Sequence, residues 1–399
     1  MQIRLTTDET VPVAQGESVQ DALKHAGIDL VSSCGGKGTC GKCKVRIVQG
    51  DYRESGNARL TVQERGSGLV LACRTFPVGD LVVEIPKVSR LVVGDKIAVS
   101  RMRELAAYMR SYGVTSSPLT SRLDIELPPP TLTDSISDLE RLKRELSKHG
   151  FGGVRFSHRF AETMPAVLRG SAWNVSLTYI EGDGIRDEAL FLSPQDDAAQ
   201  RYGIAVDVGT TTLVLYLVRL LDGEVIDIAS TYNSQMQYGD DVISRIVYAT
   251  EQAGAERGLA ELQDAVVSDI NALAATLCGR HAVDAAVIDA VVLAGNTTMS
   301  HIFWRLDPSS IREEPYIPAL NYFPLWKAGT QRIAVNPQAP VYTLPCVASY
   351  VGGDIVAGVL AAKMHRRSEI TLLMDIGTNG ELVVGNNEWL VTAACSAGP

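Results

Sequence analysis

Cys34-Gly-Gly-Lys-Gly-Thr-Cys40-Gly-Lys-Cys43, with Cys73 following further along the chain, is the stretch on which the reading turns. Thiolates are soft donors. Three of them on one loop, with a fourth brought in from elsewhere, make a metal-ligand layout. The glycines have a physical job. A loop that wraps a metal centre needs positive φ angles and close backbone approach, which Gly35, Gly36, Gly38 and Gly41 allow. Their amide N–H groups can also point at cluster sulfurs and help to set the potential. The same four cysteines could instead hold a structural zinc ion. So glycine-rich a loop favours an iron–sulfur cluster.

The flanking pattern extends this reading. Ile3 and Leu5 alternate with Arg4 and Thr6, and Val11 and Val13 follow, which predicts a hairpin. Ser18 with Asp21 predicts a capped helix that Gly27 ends. Val45 and Ile47 then share one strand face, as do Leu81, Val83 and Ile85. Hairpin, helix, cysteine loop and further strands resemble the β-grasp [2Fe–2S] ferredoxin fold over residues 1–90. The first spacing, C-x5-C, is one residue longer than in plant-type ferredoxins and resembles the longer-loop branch of that fold. The metal ligands expected are Cys34, Cys40, Cys43 and Cys73.

A chain of 399 residues is too long for one ordinary core, so two or three domains are expected. A net charge of −9 argues against a general nucleic-acid binder and fits a protein that meets its partners selectively. Cys278, Cys346 and Cys395 show no framework spacing and read as reduced thiols. No secretory signal opens the chain, and no apolar run reaches membrane-spanning length. A cytoplasmic location is expected.

Residues 91–125 read as a linker. Met102, Leu105, Ala106, Met109 and Tyr112 fall on one face of a predicted helix over 100–112. That stripe fits packing within its own domain better than a dimer contact. Pro128-Pro129-Pro130 is stiff, extended punctuation. Ser137 with Glu140 caps a second helix that runs to about His149, and Val175–Ile180 alternates like a strand. Residues 126–200 are expected to form a small α+β middle domain without a chemical motif.

At Gly203 the character changes. Residues 203–218 read as an apolar strand, an Asp207-Val-Gly209-Thr210-Thr211-Thr212 turn and a second apolar strand. The pattern returns as Asp375-Ile-Gly377-Thr378-Asn379-Gly380-Glu381 between strands. One such turn is an ordinary hairpin connector. Two in the same strand context form an internal repeat, and they resemble the phosphate 1 and phosphate 2 motifs of the actin, sugar-kinase and Hsp70-like (ASKHA) superfamily. Glycine lets the backbone approach phosphate oxygens, while amides and threonine hydroxyls donate to them. The aspartates hold Mg²⁺ or orient the attacking water. Asp207 and Asp375 are the expected catalytic pair, and they should face one another across a cleft. Gly209, Thr210, Thr211, Thr212, Gly377, Thr378, Asn379 and Gly380 are the expected nucleotide contacts. Gly295-Asn296-Thr297-Thr298-Met299, Gly352-Gly353-Asp354 and Tyr238–Arg245 read equally well as borders of the cleft or as turns and helix starts.

The whole chain is similar to the family of reductive activators of corrinoid proteins. The carrying residues are the four cysteines, the Leu127-Pro-Pro-Pro-Thr-Leu stretch, both Asp-x-Gly-Thr turns, Gly239–Arg245, Gly295–Met299 and Gly352-Gly-Asp354. The resemblance implies a [2Fe–2S] cluster and ATP with Mg²⁺ as cofactors. It implies one-electron reduction of a Co(II) corrinoid protein to Co(I) for methyl transfer, an upstream low-potential electron donor, and a homodimer formed through the linker. No nucleic acid or membrane partner is expected. The sequence departs from the family by stopping at Pro399, just after the second turn. A second ASKHA half would need well over a hundred further residues, so the 201–399 domain is expected to be incomplete, with apolar sheet faces left uncovered. Two other functions fit the same residues: a redox-regulated small-molecule kinase, and a nucleotide-sensing electron-transfer module that does not hydrolyse ATP.

Overall fold

The computed structural model describes residues 1–7, 9–26, 28, 30, 38, 41–56, 59–86, 118–181, 188–195, 201–239, 241–377 and 379–396. Cys34, Cys40, Thr378 and the helix expected over 100–112 lie outside the described residues. The chain divides into two units: Met1–Gly94 with Asn233–Gly258, and Asp95–Tyr232 with Leu259–Pro399.

The first unit is built on a mixed five-stranded sheet. β1 (Gln2–Leu5) pairs antiparallel with β2 (Thr10–Pro12). β3 (Lys44–Gln49) lies between β5 (Leu69–Leu71) and β7 (Leu81–Glu84), giving the order β2-β1-β7-β3-β5. β4 (Tyr52–Glu54) and β6 (Thr75–Pro77) form a separate ribbon. Alternation does the work: Ile3, Leu5, Val11, Val45, Leu81 and Val83 all point into one core. Helix α1 (Val19–His25) covers that core with Val19, Ala22 and Leu23, and the Ser18 hydroxyl accepts from the Asp21 amide at its start. A reciprocal capping box, Thr61 with Glu64, starts the short helix α2 (Val62–Gly66).

The second unit begins with a four-stranded sheet ordered β8 (Ser121–Glu126), β10 (Asn174–Ile180), β11 (Glu188–Pro194), β9 (Arg155–Phe156). Helix α3 (Asp138–Lys148) opens on the expected Ser137–Glu140 box and buries Leu142 and Leu146. Arg141 of the same helix is fully buried, donating to the Asp134 carboxylate at 2.6 Å and to the Pro128 carbonyl at 3.2 Å. A buried cation is tolerable only when paired in this way, and the pairing pins the triproline segment. Helix α4 (His158–Gly170) adds Phe160, Met164 and Leu168 to this core.

A six-stranded sheet follows, ordered β14 (Glu224–Tyr232), β13 (Thr212–Arg219), β12 (Tyr202–Val208), β15 (Ile288–Gly295), β17 (Pro340–Thr343), β16 (Trp326–Lys327). β12, β15 and β17 run parallel, so their C-terminal ends share one edge. Helix α5 (Val242–Val247), capped by Asp241, belongs to the first unit. The long helix α6 (Ala255–His281) was not among the elements expected from the sequence. Leu262, Val266, Ile270, Leu273 and Leu277 recur along it at helical spacing and are buried. Helix α7 (Thr297–Phe303) starts at the end of β15 with Asn296 as its cap, and α8 (Gly353–Ala362) follows β17.

The chain closes on an antiparallel sheet of β18 (Thr371–Ile376), β19 (Asn379–Gly385) and β20 (Leu390–Ser396). Its inner face packs Leu373 and Val383 with Ile355 of α8. Its outer face leaves Leu372, Met374, Ile376 and Val391 more than half exposed. Among the described residues no helix is long and apolar enough to cross a membrane.

Candidate functional site

Two sets of residues carry chemistry, one in each unit. In the first unit Cys43 ends the glycine-rich loop and Cys73 sits in a turn after β5. Both are buried, and their sulfurs lie 3.4 Å apart. The Ala72 amide donates to the Cys43 carbonyl at 2.8 Å, which ties the two ligand segments together. Gly38 and Gly41 have φ of +75° and +71°, which side chains rarely adopt. A Cβ on Gly38 would lie 2.4 Å from Nε of Arg74. Two buried thiols with sulfurs 3.4 Å apart, one of them closing a loop that requires glycine, fit the chemistry of a thiolate-bound cluster.

In the second unit, β12 and β13 form a hairpin with Asp207 in β12, opposite Val214, and Gly209 at the start of the turn. The Gly209 amide donates to the Thr212 carbonyl at 3.0 Å, and a Cβ on Gly209 would come within 2.7 Å of that oxygen. Asp207 and Val208 stand beside Ala294 and Gly295 of β15. The next residue, Asn296, donates to the Thr210 hydroxyl at 3.1 Å and caps α7 through the Met299 amide at 2.9 Å. Thr210 is therefore buried and engaged with Asn296, while Thr211 is half-buried and Thr212 exposed. Gly352 crosses this segment so closely that a Cβ would fall 2.3 Å from the Gly295 carbonyl oxygen. That crossing delivers Asp354 to the same edge. Of the three segments with two readings, the structure brings Gly295–Met299 and Gly352–Asp354 to this edge. Asp241 of the third caps α5 in the other unit.

Four carboxylates converge here. Crowding by protein and the charges of Asp354 and Asp375 push the Asp207 carboxyl up to about 6. Burial pushes Asp354 to about 6 as well, with Asp375 adding to the effect. Asp207 remains exposed near the end of β12 although surrounding protein raises its carboxyl. Glu381 is directly opposite Asp375 in the β18–β19 register. It is 7% exposed, and burial together with Asp354 and Asp375 raises it to about 7. Like charges directly opposite one another destabilise a strand pair, so the arrangement has a local cost; among the described residues, no three such side chains are close enough together to hold a metal ion directly. The expected pair, Asp207 and Asp375, lie within each other's field. Asp354 and Glu381 complete the set and were not among the expected catalytic residues. Gly377 and Gly380 lie on the same hairpin, at the end of β18 and the start of β19. Cys346 and Cys395 are free thiols outside this carboxylate set.

Comparison with known proteins gives four consecutive family matches. They are a 2Fe-2S iron-sulfur cluster binding domain over 3–78, the RACo linker region over 110–197, the RACo middle region over 202–367, and the C-terminal domain of RACo, the ASKHA domain, over 369–399. The corrinoid activation enzyme RamQ of Eubacterium limosum is 28% identical over 396 residues, spanning 98% of this chain and 60% of that protein. A solved structure, described as a reductive activator for corrinoid, iron-sulfur protein, is 40% identical with a TM-score of 0.65. It covers 100% of this chain, which spans 63% of it. The NADH oxidoreductase HCR of Escherichia coli (strain K12) is 40% identical over 68 residues, 17% of this chain and 21% of that protein. The chain thus spans about three fifths of the length of its two long relatives. These consecutive regions, a 2Fe-2S domain and the RACo linker, middle and C-terminal regions, match the chain almost end to end.

Proposed function

We propose that this chain activates a corrinoid protein reductively, delivering one electron to Co(II) and regenerating Co(I) for methyl transfer under the control of ATP. The observation that carries the reading is the presence, on one chain, of a 2Fe-2S domain and of a group of electrostatically coupled carboxylates beside closely packed glycines. Cys34, Cys40, Cys43 and Cys73 hold the cluster. When bound, it supplies one low-potential electron, at about −400 mV for plant-type ferredoxins. Asp207 and Asp375, with Asp354 and Glu381 in their field, would meet the hydrated Mg²⁺ of a nucleotide through its waters, and the loop amides around Gly209 and Gly377 would receive its phosphates. By their place in the two turn motifs, Thr211, Thr212, Thr378, Asn379 and Gly380 are the further nucleotide contacts of this reading, and Asn296 donates to the Thr210 hydroxyl.

Reduction of a corrinoid by such a cluster runs uphill. A nucleotide can help only by binding one conformational state better than another, and the two Asp-x-Gly-Thr hairpins are the elements placed to report its presence. The domain division that accompanies this reading is 1–90, 91–125, 126–200 and 201–399. The protein works in the cytoplasm, as a homodimer joined through the linker, in a methyl-transfer system such as O-demethylation, and draws its electron from a low-potential donor. The test is anaerobic incubation of the reduced protein with a Co(II) corrinoid protein, with and without ATP, following Co(I) by absorbance. Faster Co(I) formation with ATP supports the proposal. Phosphorylation of a small molecule without any effect on cobalt would replace it with the kinase reading.

A further inference from the structure

Around the cysteine loop, charge runs against the rest of the chain. The net charge is −9, yet residues 31–50 carry Lys37, Lys42, Lys44 and Arg46 and no carboxylate. Two of these cations are neutralised. Lys44 lies 2.5 Å from Glu64 and Arg46 2.7 Å from Glu84. The side chains of Lys42 and Arg59 have neither a hydrogen bond nor an ion pair among the described residues. Arg59 is exposed and is held at the loop by packing, since a Cβ on Gly41 would lie 3.0 Å from Arg59 Cβ. Arg74 follows Cys73 in sequence and lies over Gly38. Arginines thus flank the cysteine loop at two glycines whose φ is positive.

We propose that this basic rim, centred on Lys42, Arg59 and Arg74, is the docking face for an acidic redox protein, the one-electron partner of the cysteine domain. The inference rests on the reading of the cysteines as cluster ligands. Electron transfer weakens steeply with distance, so a partner must meet the domain where the ligand loop is nearest the surface. Cations at that point attract an acidic surface, while the net negative charge of the rest of the chain repels it. The encounter is steered to a single orientation. An acidic partner would also supply the carboxylates that Lys42 and Arg59 lack.

Flavodoxin serves as the acidic probe and cytochrome c as the basic one. In the first reaction, fully reduced flavodoxin gives one electron to the oxidised cluster of the whole chain. In the second, the reduced cluster gives one electron to ferric cytochrome c. Both are followed by stopped-flow absorbance. The flavodoxin rate is expected to fall about tenfold between about 0.02 M and 0.5 M salt. Combining Lys42→Glu with Arg59→Glu should slow it about tenfold at low salt, with iron content and the reduced-state paramagnetic signal unchanged, and should not slow cytochrome c. A flavodoxin rate that ignores both salt and charge reversal overturns the proposal. If the double reversal fails to hold iron, the neutral pair Lys42→Gln and Arg59→Gln replaces it. A several-fold slowing is then expected, and an unchanged rate overturns the proposal. Wild-type protein that takes up no iron would instead overturn the cluster reading.

Discussion

Around Cys43 and Cys73 the chain sets cations against a loop of thiols; around Asp207 it sets carboxylates against one another. Each arrangement carries a local cost, and the costs differ in kind. The cysteine loop spends conformational freedom, holding Gly38 and Gly41 at positive φ beneath arginine side chains. The carboxylate set spends electrostatic energy, raising three carboxyls to about 6, 6 and 7. On the proposed reading, metal–sulfur bonds would offset the first cost and an exchangeable cation the second, a resident group in one unit and a diffusible ligand in the other.

The comparison breaks most visibly at the cysteines. Cys73→Ala removes one of four ligands, and iron and sulfide analysis should fall from two of each per chain to near none, with the visible absorbance lost. A variant that kept a full cluster would remove Cys73 from the ligand set. Asp207→Ala should do the opposite: leave the cluster spectrum intact and weaken Mg²⁺–nucleotide binding by about a hundredfold, on the scale of a lost charge-assisted contact. Calorimetric titration measures it.

The remaining effects sharpen the contrast through pH. Protons and Mg²⁺ compete for Asp207, Asp354 and Glu381, so cation affinity should weaken as pH falls through 7 and then 6. Roughly a tenfold loss between pH 8 and pH 5.5 is expected; a flat profile would mean that these groups do not hold the cation. Without cation, the sign for stability is reversed. Glu381 is raised in the folded state, so the native form binds more protons than the unfolded chain between about 4.5 and 7. Stability therefore falls as pH rises through that window. Glu381→Gln should raise the Tm by on the order of 5 °C at pH 8 and by little at pH 4.5, read by thermal melts. Lower stability at pH 8 would show that the carboxylate has a native partner.

Much of this was legible before any coordinates. Ser18 with Asp21 and Ser137 with Glu140 are local signals, and the helices start where they say. The Asp207 turn is likewise a local object, a hairpin closed by Gly209. Asp354 was legible only as one of two readings, a border of the site or a helix start, and Glu381 only as the end of the second motif, neither as a charged member of the set. In sequence, Asp354 is a residue in the first turn of a helix and Glu381 a polar residue in a strand. Only the crossing of Gly352 over Gly295 and the register that sets Glu381 against Asp375 bring them together. The threonines differ for a similar reason: three adjacent hydroxyls look alike in sequence, but Asn296 engages Thr210 alone of the three through its side chain. Helix α6 carried a signal in the spacing of Leu262, Val266, Ile270 and Leu273, without a turn motif to draw attention to it.

The central claim is that nucleotide at the carboxylate set governs electron delivery from the cysteine domain. It is tested most directly by the single-turnover rate at which the prereduced protein converts a Co(II) corrinoid protein to Co(I), with ATP, in wild type and in Asp207→Ala. Coupling predicts that ATP accelerates the wild type by tenfold or more, and that the variant, with its cluster spectrum intact, reacts at the ATP-free rate. Equal rates for the two proteins in the presence of ATP would contradict the account.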